Sequence, residues 1–349
     1  MKEIENIVEL YDRLCNESVA CALATVVRIE GSSYRRIGAR LLVAVDGRYT
    51  GGISGGCLEG DALRRAQQSI YAGTPSKRVY DTLEGEDREI GIGLGCNGRI
   101  EVLFVPIDYT DQANQVEVLR RQIGRRLPIL LAQTVTVPVT ERIPAVIEEL
   151  PLDAIDLPGG RSQVLPFTRD ARKYERLYEL LRPAIHLVLV GNNYDILPTV
   201  ITGLQLGWQI SVVGSKRKFT AELAAAAHHL YDYAEATEVP VDDYTAVACM
   251  SHDFIRDRQM VEVFLPQSPA YLGLLGPRER ADKLHQELLD TTSLNLLDYP
   301  RLYTPIGLDI GAETPEEIAT AVVAEIISVF RRRDGLSLKY KDGTIHARF

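Results

Sequence analysis

Apolar positions along the chain follow a helical period at the start and a strand pattern soon afterwards. Residues 4–15 place apolar side chains on one helix face, at Ile4, Ile7, Val8, Leu10, Tyr11 and Leu14. The runs 20–29 and 39–45 are rich in β-forming residues, and Asp46-Gly47 after the second run is a strong hairpin signal. The pattern therefore predicts an amphipathic helix followed by a β-hairpin.

Two glycine-rich segments interrupt this pattern. The first, GGISGGCLEGD over 51–61, leads into a helical stretch over 58–71. The second, GIGLGCNG over 91–98, leads into a strand predicted over 99–105. We therefore expect a mixed α+β N-terminal domain over 1–168, with one cysteine in each glycine-rich loop.

From residue 185 onward, short apolar strands alternate with helical stretches. The strands are predicted at 185–190, 209–213, 245–250 and 270–274, and a helix follows each of them. Thr314-Pro315-Glu316-Glu317 supplies an N-cap, a proline at the first helical position and a glutamate at the third, so a helix should begin at Pro315 and end near Arg333. The alternation predicts an α/β fold, a Rossmann-like doubly wound parallel sheet over 185–333.

A charged stretch joins the two halves, and a short tail follows the second half. Residues 168–182 are rich in charge and are followed by Pro183, so we predict a linker over 169–184. The tail over 334–349 predicts a hairpin that turns at Asp342-Gly343. A chain of 349 residues is long enough for two hydrophobic cores of ordinary size.

Composition narrows the class of protein. No uncharged apolar run reaches about 18 residues and the N-terminus is acidic, which predicts a cytoplasmic protein without a membrane span or a signal peptide. A formal net charge of −9 argues against nucleic acid as a partner. The cysteines are odd in number and form no CxxC pair, which argues against a disulfide scaffold or a zinc cluster. They are Cys15, Cys21, Cys57, Cys96 and Cys249.

Cys57 directly precedes a helical pattern, where the helix dipole and free N–H groups would stabilise a thiolate. Gly55, Gly56 and Glu59 surround it and are the candidate ligand-binding residues of this loop. Cys96 has a similar glycine setting. Packing as a small apolar residue is the alternative for either cysteine. Glycine-rich loops commonly surround ligands, so we expect both loops to face one cleft.

Three arginines, Arg35, Arg36 and Arg40, follow Gly31-Ser32-Ser33-Tyr34 between two predicted strands. Their planar cations are suited to a phosphate or another oxyanion. A solvated basic turn is the alternative for any single arginine. Three arginines within six residues, beside the glycine-rich loops, favour ligand binding.

The first strand of the Rossmann-like half ends in a loop where a dinucleotide phosphate site belongs. Gly191 keeps the first fingerprint glycine, but Asn193 and Ile196 stand at the second and third positions, and an Asn side chain obstructs the approach of a pyrophosphate. Gly191, Asn193 and Asp195 are the candidate ligand residues here. The second strand ends at Gly214, without the acidic residue that binds ribose hydroxyls.

Lys216-Arg217-Lys218 follows Gly214. The missing carboxylate and the added cations predict weak NAD binding and a better fit to NADP or another phosphorylated nucleotide. A solvated basic loop on a Rossmann domain that binds no dinucleotide is the alternative.

Two further strand ends carry candidate groups. Ser251-His252-Asp253 follows the third strand, and His252 could act catalytically near neutral pH, or it could make only a local structural contact. Gly276-Pro277-Arg278 opens another strand-to-helix loop, where Gly276 and Arg278 are suited to an anion.

Several segments together resemble the XdhC/CoxI family of molybdenum-cofactor accessory proteins. GSSYRRIGARLLV, DGRYTGGISGGCLEGD and GLGCNGRIEV are similar to the family's N-terminal domain. The SHD turn, YLGLLGPRER and PIGLDIGAETPEEIA are similar to its Rossmann domain, in the same order along the chain. The chain departs from the family at Ile37, in an otherwise matching GSSYRRPGAR stretch, and at Asn193, Tyr194 and Gly214, where the family usually reads GAGHD and then VVDHR.

The resemblance implies an accessory protein (chaperone) that binds the molybdenum cofactor (molybdopterin) transiently, assists its sulfuration and inserts it into a xanthine dehydrogenase-type molybdenum hydroxylase. It implies the hydroxylase and a cysteine desulfurase as partners, with Cys57 as a soft contact for molybdenum or sulfur. We expect a homodimer, and a cofactor-maturation chaperone rather than a turnover enzyme. The alternative is an NAD(P)-dependent oxidoreductase acting on a small molecule, since fold does not fix function.

Overall fold

The computed structural model describes residues 1–31, 33–81, 98–137, 141–292 and 294–341. The chain forms two compact units that divide between Pro183 and Ala184. Cys96 and the hairpin predicted at Asp342-Gly343 lie outside the described residues. The described part of the tail contains a short 3₁₀ turn at Leu338–Tyr340.

The first unit begins with helix α1 (Lys2–Asn16), which buries all six apolar residues of the predicted face. Its first sheet is antiparallel, in the order β3-β2-β1-β5-β4. The strands are β1 (Cys21–Gly31), β2 (Arg40–Ala44), β3 (Tyr49–Gly51), β4 (Ser76–Asp81) and β5 (Gly98–Pro106). Helix α2 (Glu59–Ala72) packs its alanines Ala62 and Ala66 into the core of this sheet.

The register brings the ends of several strands together at one end of this sheet. Gly31 at the end of β1 pairs with Gly98 at the start of β5, and Gly51 at the end of β3 pairs with Leu41 in β2. Asp81 at the end of β4 also lies beside the start of β5. Of the described residues, 33–39 and 52–58 form connections at this end.

Most of the predicted linker belongs to a second antiparallel sheet. Its strands β6 (Ile129–Thr136), β7 (Ile147–Leu150), β8 (Gln163–Arg169) and β9 (Arg172–Leu181) lie in the order β7-β6-β9-β8, and helix α3 (Gln115–Arg120) precedes them. Residues 172–181 are thus a paired strand, and the first unit extends beyond 168 to Pro183. The prediction was wrong because charged residues of β9 form ion pairs with residues of other strands: Arg176 with Glu148 in β7, and Glu179 with Arg40 in β2.

The second unit has the predicted Rossmann-like fold. Its sheet is parallel, in the order β12-β11-β10-β13-β14-β15. The strands are β10 (His186–Val190), β11 (Gln209–Gly214), β12 (His229–Asp232), β13 (Thr245–Cys249), β14 (Tyr271–Leu274) and β15 (Leu302–Tyr303). The four predicted strands are confirmed; β12 and β15 are only four and two residues long and gave no clear periodic signal.

Among the residues that the structure describes, five helices cover the two faces of this sheet: α4 (Ile196–Gln205), α5 (Ala221–Ala226), α6 (Phe254–Phe264), α7 (Arg278–Thr291) and α8 (Pro315–Phe330). The capping box between Thr314 and Glu317 confirms that α8 begins at Pro315, and the helix ends three residues before Arg333. None of the helices in the described part of the chain is long and apolar enough to span a membrane. The strand order reverses between β10 and β13, where open α/β sheets bind ligands.

Candidate functional site

Cys57 lies in the turn that leads into α2. Its side chain is half-buried, packs against the core of the first sheet and places Sγ 3.6 Å from Oγ of Ser54. Helix α2 begins two residues later, at Glu59. The structure therefore combines the two sequence interpretations: a thiol at the start of a helix that also contacts the core.

Glu59 shapes the loop around this cysteine. Its Oε1 accepts the backbone N–H groups of Ile53 and Ser54 at 3.2 and 2.8 Å, and its Oε2 accepts the Ser54 hydroxyl at 2.5 Å. Burial acts to raise the pKa of Glu59, but these hydrogen bonds outweigh it and hold the pKa below its usual value. Ser54 Oγ in turn accepts the N–H groups of Gly56 and Leu58. Glu59, expected to bind a ligand, instead holds the turn in place.

The three predicted arginines have different surroundings. Arg35 forms an ion pair with Glu3 in α1, and Arg36 is exposed. Arg40 is 4% exposed and forms a two-pronged ion pair with Glu179 in β9, with Nη1–Oε1 at 3.0 Å and Nη2–Oε2 at 2.5 Å. Because Glu179 neutralises its buried charge, the structure places Arg40 outside the candidate anion site.

Tyr34 connects the arginine loop with the cysteine loop. Its ring lies against Gly55, where an added Cβ would be 3.4 Å from the ring Cγ. The tyrosine is otherwise 71% exposed. The loop over 33–39 and the loop over 52–58 are therefore neighbours at one end of the sheet, as the sequence predicts for the arginine and Cys57 segments.

Two of the four described cysteines are buried. Burial raises the pKa of Cys21 to about 11 and raises that of Cys249 well above its usual value. Cys15 is exposed and Cys57 is half-buried. Among the described residues, no group of three or more His, Cys, Asp or Glu side chains could hold a metal ion.

In the second unit, two asparagines occupy the loop after β10. Asn192 Nδ2 donates to the Ser215 carbonyl at 3.2 Å, and its Oδ1 accepts the Ser215 N–H at 3.1 Å. A Cβ at Gly214 would lie 2.4 Å from Asn192 Nδ2, so an acidic side chain at 214 requires Asn192 to move. Asn193 Nδ2 donates to the Met250 carbonyl at 3.0 Å. The two amides tie this loop to the ends of β11 and β13.

Gly191, the one fingerprint glycine present in this loop, is explained by the close approach of another backbone segment. Gly191 has a φ of +146°, and an added Cβ would lie 2.8 Å from the Met250 carbonyl oxygen. Sterically, only glycine fits between the ends of β10 and β13. The packing of the loop therefore explains why residue 191 is a glycine, without reference to a ligand.

The basic loop after β11 is only partly neutralised. Lys216 Nζ lies 2.5 Å from Glu235 Oε1, and this contact raises the pKa of Lys216. Arg217 and Lys218 are exposed, and no ion pair joins either to a described residue. Lys218 lines a cleft, whereas Arg217 does not.

His252 and Asp195 meet across the point where the strand order reverses. His252 Nε2 lies 2.6 Å from Asp195 Oδ2. The Asp195 side chain is 3% exposed and the His252 side chain 49%. His252 adopts a φ of +58°, which is uncommon for a residue with a side chain. The sequence analysis identified the two residues as separate candidates, and the register of β10 and β13 brings them together.

The turn that carries His252 is anchored by a residue that sequence reasoning missed. Asp257 is 1% exposed; its Oδ1 accepts the N–H and hydroxyl of Ser251 at 3.1 and 2.6 Å, and its Oδ2 accepts Arg280 Nη2 at 2.7 Å. Asp257 lies inside α6 and belongs to no motif, so no sequence signal pointed to it. Arg280 is the arginine that anchors this turn, and Arg278, which the sequence analysis names as suited to an anion, takes no part in that contact.

Arg278 is exposed at the first position of α7. Gly276, before it, has a φ of +124°, and an added Cβ would lie 2.8 Å from Arg280 Cδ. Gly276 therefore makes room for the Arg280 side chain. The structure supplies no partner for Arg278 among the residues it describes.

A cleft of about 950 Å³ opens at the carboxyl end of this sheet. The loops after β10, β11, β12 and β13 and one side of α6 line it. Its polar wall includes Asn192, Asn193, Ser215, Lys218, Tyr233 and Arg256. This is the side of the sheet on which Rossmann folds hold the adenosine half of a dinucleotide.

Comparisons with known proteins agree along the chain. A family model described as the XdhC Rossmann domain matches residues 187–326, and one described as the XdhC and CoxI family matches residues 14–81. The chain is 26% identical over 344 residues to a probable xanthine dehydrogenase subunit from Bacillus subtilis, covering 94% of this chain and 98% of that protein. It is 24% identical over 322 residues to the molybdenum cofactor insertion chaperone PaoD of Escherichia coli, covering 88% and 82%.

A solved structure extends this agreement to three dimensions. The crystal structure of a xanthine dehydrogenase from Bacillus halodurans superposes with a TM-score of 0.74 at 25% identity, covering 96% of this chain and 98% of the other. The two family models match different units in the order that the resemblance of the motifs predicts. The chain therefore belongs to the XdhC and CoxI family.

Proposed function

We propose that this protein binds the molybdenum cofactor, assists its sulfuration and inserts it into a xanthine dehydrogenase-type molybdenum hydroxylase. The observation that carries the proposal is the meeting of the arginine loop and the Cys57 loop at one end of the first sheet, in a member of this family. The relative PaoD, whose name describes a molybdenum cofactor insertion chaperone, supports the choice of cargo.

The two loops offer groups that suit this cargo. The cofactor is an anionic pterin phosphate whose dithiolene sulfurs hold molybdenum. Arg36 provides an exposed cation, and the exposed ring of Tyr34 provides a flat face for the pterin. Cys57 provides a soft sulfur that could contact the metal or receive sulfur from a donor. Glu59 and Ser54 keep this thiol in a fixed turn.

The proposal implies two protein partners. A cysteine desulfurase would supply the sulfur, and the apo-hydroxylase would receive the cofactor. A homodimer in the cytoplasm is the form in which we expect the protein to act.

The test is reconstitution of a partner hydroxylase. Apo-hydroxylase, molybdenum cofactor and a cysteine desulfurase are mixed without oxygen, with or without this protein, and hydroxylase activity is followed. The proposal expects activation that depends on the protein, and anaerobic titration should show the protein binding the cofactor. Equal activation in its absence, together with no cofactor binding, would refute the proposal.

A second candidate function is an NAD(P)-dependent oxidoreductase acting on a small molecule. The His252–Asp195 pair favours it, because a carboxylate that orients an imidazole is a common acid–base arrangement. Gly214 and Lys218 favour NADP or another phosphorylated nucleotide over NAD. Spectra and metal analysis of protein purified without oxygen separate the two functions: a bound pterin with molybdenum supports the first, and nucleotide alone supports the second.

A further inference from the structure

One carboxylate ties the arginine loop over 33–39 to helix α1. Glu3, in the first turn of α1, forms an ion pair with Arg35 through Oε2 and accepts the backbone N–H of Arg40 at 3.2 Å through Oε1. The side chains of Glu3 and Arg35 are 35% and 32% exposed. Solvent and a ligand can therefore reach this ion pair, unlike the buried pair of Arg40 with Glu179.

Glu3 satisfies the Arg35 guanidinium only in part. The contact uses Nη2, whereas Nε is buried and has no hydrogen-bond partner among the described residues. The N–H donors of an arginine form a planar fork, and a phosphate can accept from a pair of them side by side. If the guanidinium turned from Glu3 to such an anion, it could use a donor that is unsatisfied in this structure.

The ion pair can open while α1 stays in place. Six buried apolar residues hold the helix in the core of the first unit, and Glu3 lies outside this buried face. Ion pairs with this degree of exposure are weak, because water screens them. An anionic ligand can therefore displace the Glu3 carboxylate from Arg35, and the helix keeps that carboxylate close by.

We propose that Glu3 is an internal counter-ion that competes with the anionic cargo for Arg35. Without cargo, Glu3 neutralises Arg35; when the phosphate of the cargo binds, Arg35 turns to it and acts together with Arg36. Glu3 returns to Arg35 as the cargo leaves, so the protein binds its cargo less tightly and releases it more readily. The identity of the cargo rests on the proposed function, whereas the competition rests on the contacts of Glu3.

Glu3→Gln tests the competition, because it removes the charge and retains an oxygen that can accept the Arg40 N–H. The full-length protein is titrated without oxygen with molybdenum cofactor and, separately, with inorganic phosphate. Glu3→Gln should bind both about three- to fivefold more tightly than the wild type, as expected when a partly exposed ion pair no longer competes. Glu9→Gln, which removes a carboxylate paired with Arg13 on the same helix, is the matched control and should leave binding unchanged.

Arg35→Gln shows whether the effect of Glu3 passes through Arg35. This variant should bind both anions more weakly than the wild type, and adding Glu3→Gln to it should have no further effect. If Glu3 acted only by lowering the local potential, Glu3→Gln would still tighten binding after Arg35 is removed. That result would overturn the inference.

The inference is also overturned if Glu3→Gln binds the anions no more tightly than the wild type. Weaker binding would make Glu3 a residue that positions Arg35. Melting temperatures check that the variants keep the fold, and Glu3→Ser is a second neutral variant if the glutamine variant is unstable. If the cofactor binds to neither the wild type nor the variant, the proposed function fails and the phosphate titration decides the inference: tighter binding by the variant supports it, and equal or absent binding overturns it.

Discussion

Nε2 of His252 lies 2.6 Å from Oδ2 of Asp195, and this contact joins the loops that follow β10 and β13. Asp195 is buried, and its second oxygen, Oδ1, has no hydrogen-bond partner within the described chain. A buried carboxylate thus holds a half-exposed imidazole at the reversal of strand order, the position where open α/β sheets bind ligands. The left-handed backbone of His252 adds a cost that other contacts of the turn must offset.

Two substitutions separate the hydrogen bond of His252 from its backbone strain. His252→Ala removes the partner of a buried carboxylate, so we expect the free energy of unfolding to fall by about 1–2 kcal/mol. His252→Gly removes the same bond but tolerates the φ of +58°, so it should be more stable than the alanine variant by about 1 kcal/mol. Urea denaturation measures both. Equal stability of the two variants would show that the backbone is not strained.

The elements that the sequence predicted correctly have local signals. The four apolar strands of the second unit and the Thr314–Glu317 capping box are readable from short windows, and each is confirmed. Strand β9 was missed because its signal depends on distant partners. In the sequence, Glu179 is one residue of a charged stretch. Its partner Arg40 is 139 positions away in the chain, so the ion pair cannot be inferred from neighbouring residues.

Prediction of the candidate site was limited in the same way, because some of its contacts involve residues that are distant in the sequence. Loop positions for Cys57 and His252 follow from neighbouring glycines and strand ends, so the sequence could nominate them. The residues that contact them could not be predicted from such local patterns. Asp257 holds the His252 turn from inside a helix, and the pairing of Asp195 with His252 depends on the register of two parallel strands.

Arg40 should be required for folding stability. Arg40→Met leaves the Glu179 carboxylate, 7% exposed, without its two-pronged partner, and breaking a buried ion pair in this way costs about 3–5 kcal/mol. Arg48→Met, at an exposed arginine paired with Glu17, is the matched control and should change stability little. Chemical denaturation of both variants measures the difference. If Arg40→Met unfolds like the wild type, the buried ion pair contributes no net stability.

The cysteine loop should lose stability in acid through Glu59. The folded pKa of this carboxyl lies below its ordinary value of 4.5, so its contribution is fully present above that value and is lost as pH falls through the folded pKa. Glu59→Gln should therefore be less stable than the wild type at neutral pH, and the gap should narrow below about pH 4. Melting temperatures across this range test the sign. A gap that widens in acid would mean that the carboxyl is not stabilised in its ionised form.

Plain NAD should bind weakly to the second unit. Asn192 fills the space beside Gly214, the position of the usual ribose carboxylate, and Asn193 crosses the pyrophosphate path. Calorimetry with NAD should therefore show no micromolar affinity, and a ligand with an additional phosphate, such as NADP, should bind more tightly. Micromolar NAD binding would show that the asparagine side chains move aside at little cost.

Cys57 should matter for function and not for folding. It is half-buried in a loop whose shape depends on Glu59 and Ser54, so Cys57→Ala should shift stability by no more than about 0.5 kcal/mol. The same variant should lose cofactor retention and hydroxylase activation, because it removes the sulfur proposed to contact molybdenum or to relay sulfur. Cys15→Ala, at an exposed cysteine of α1, is the control and should keep full activity.

Iodoacetamide labelling at neutral pH should modify Cys57 faster than Cys15 and the buried Cys249. If Cys57→Ala melts normally and still supports full activation, the cysteine serves packing, and the chemistry must lie at Cys96 or around His252.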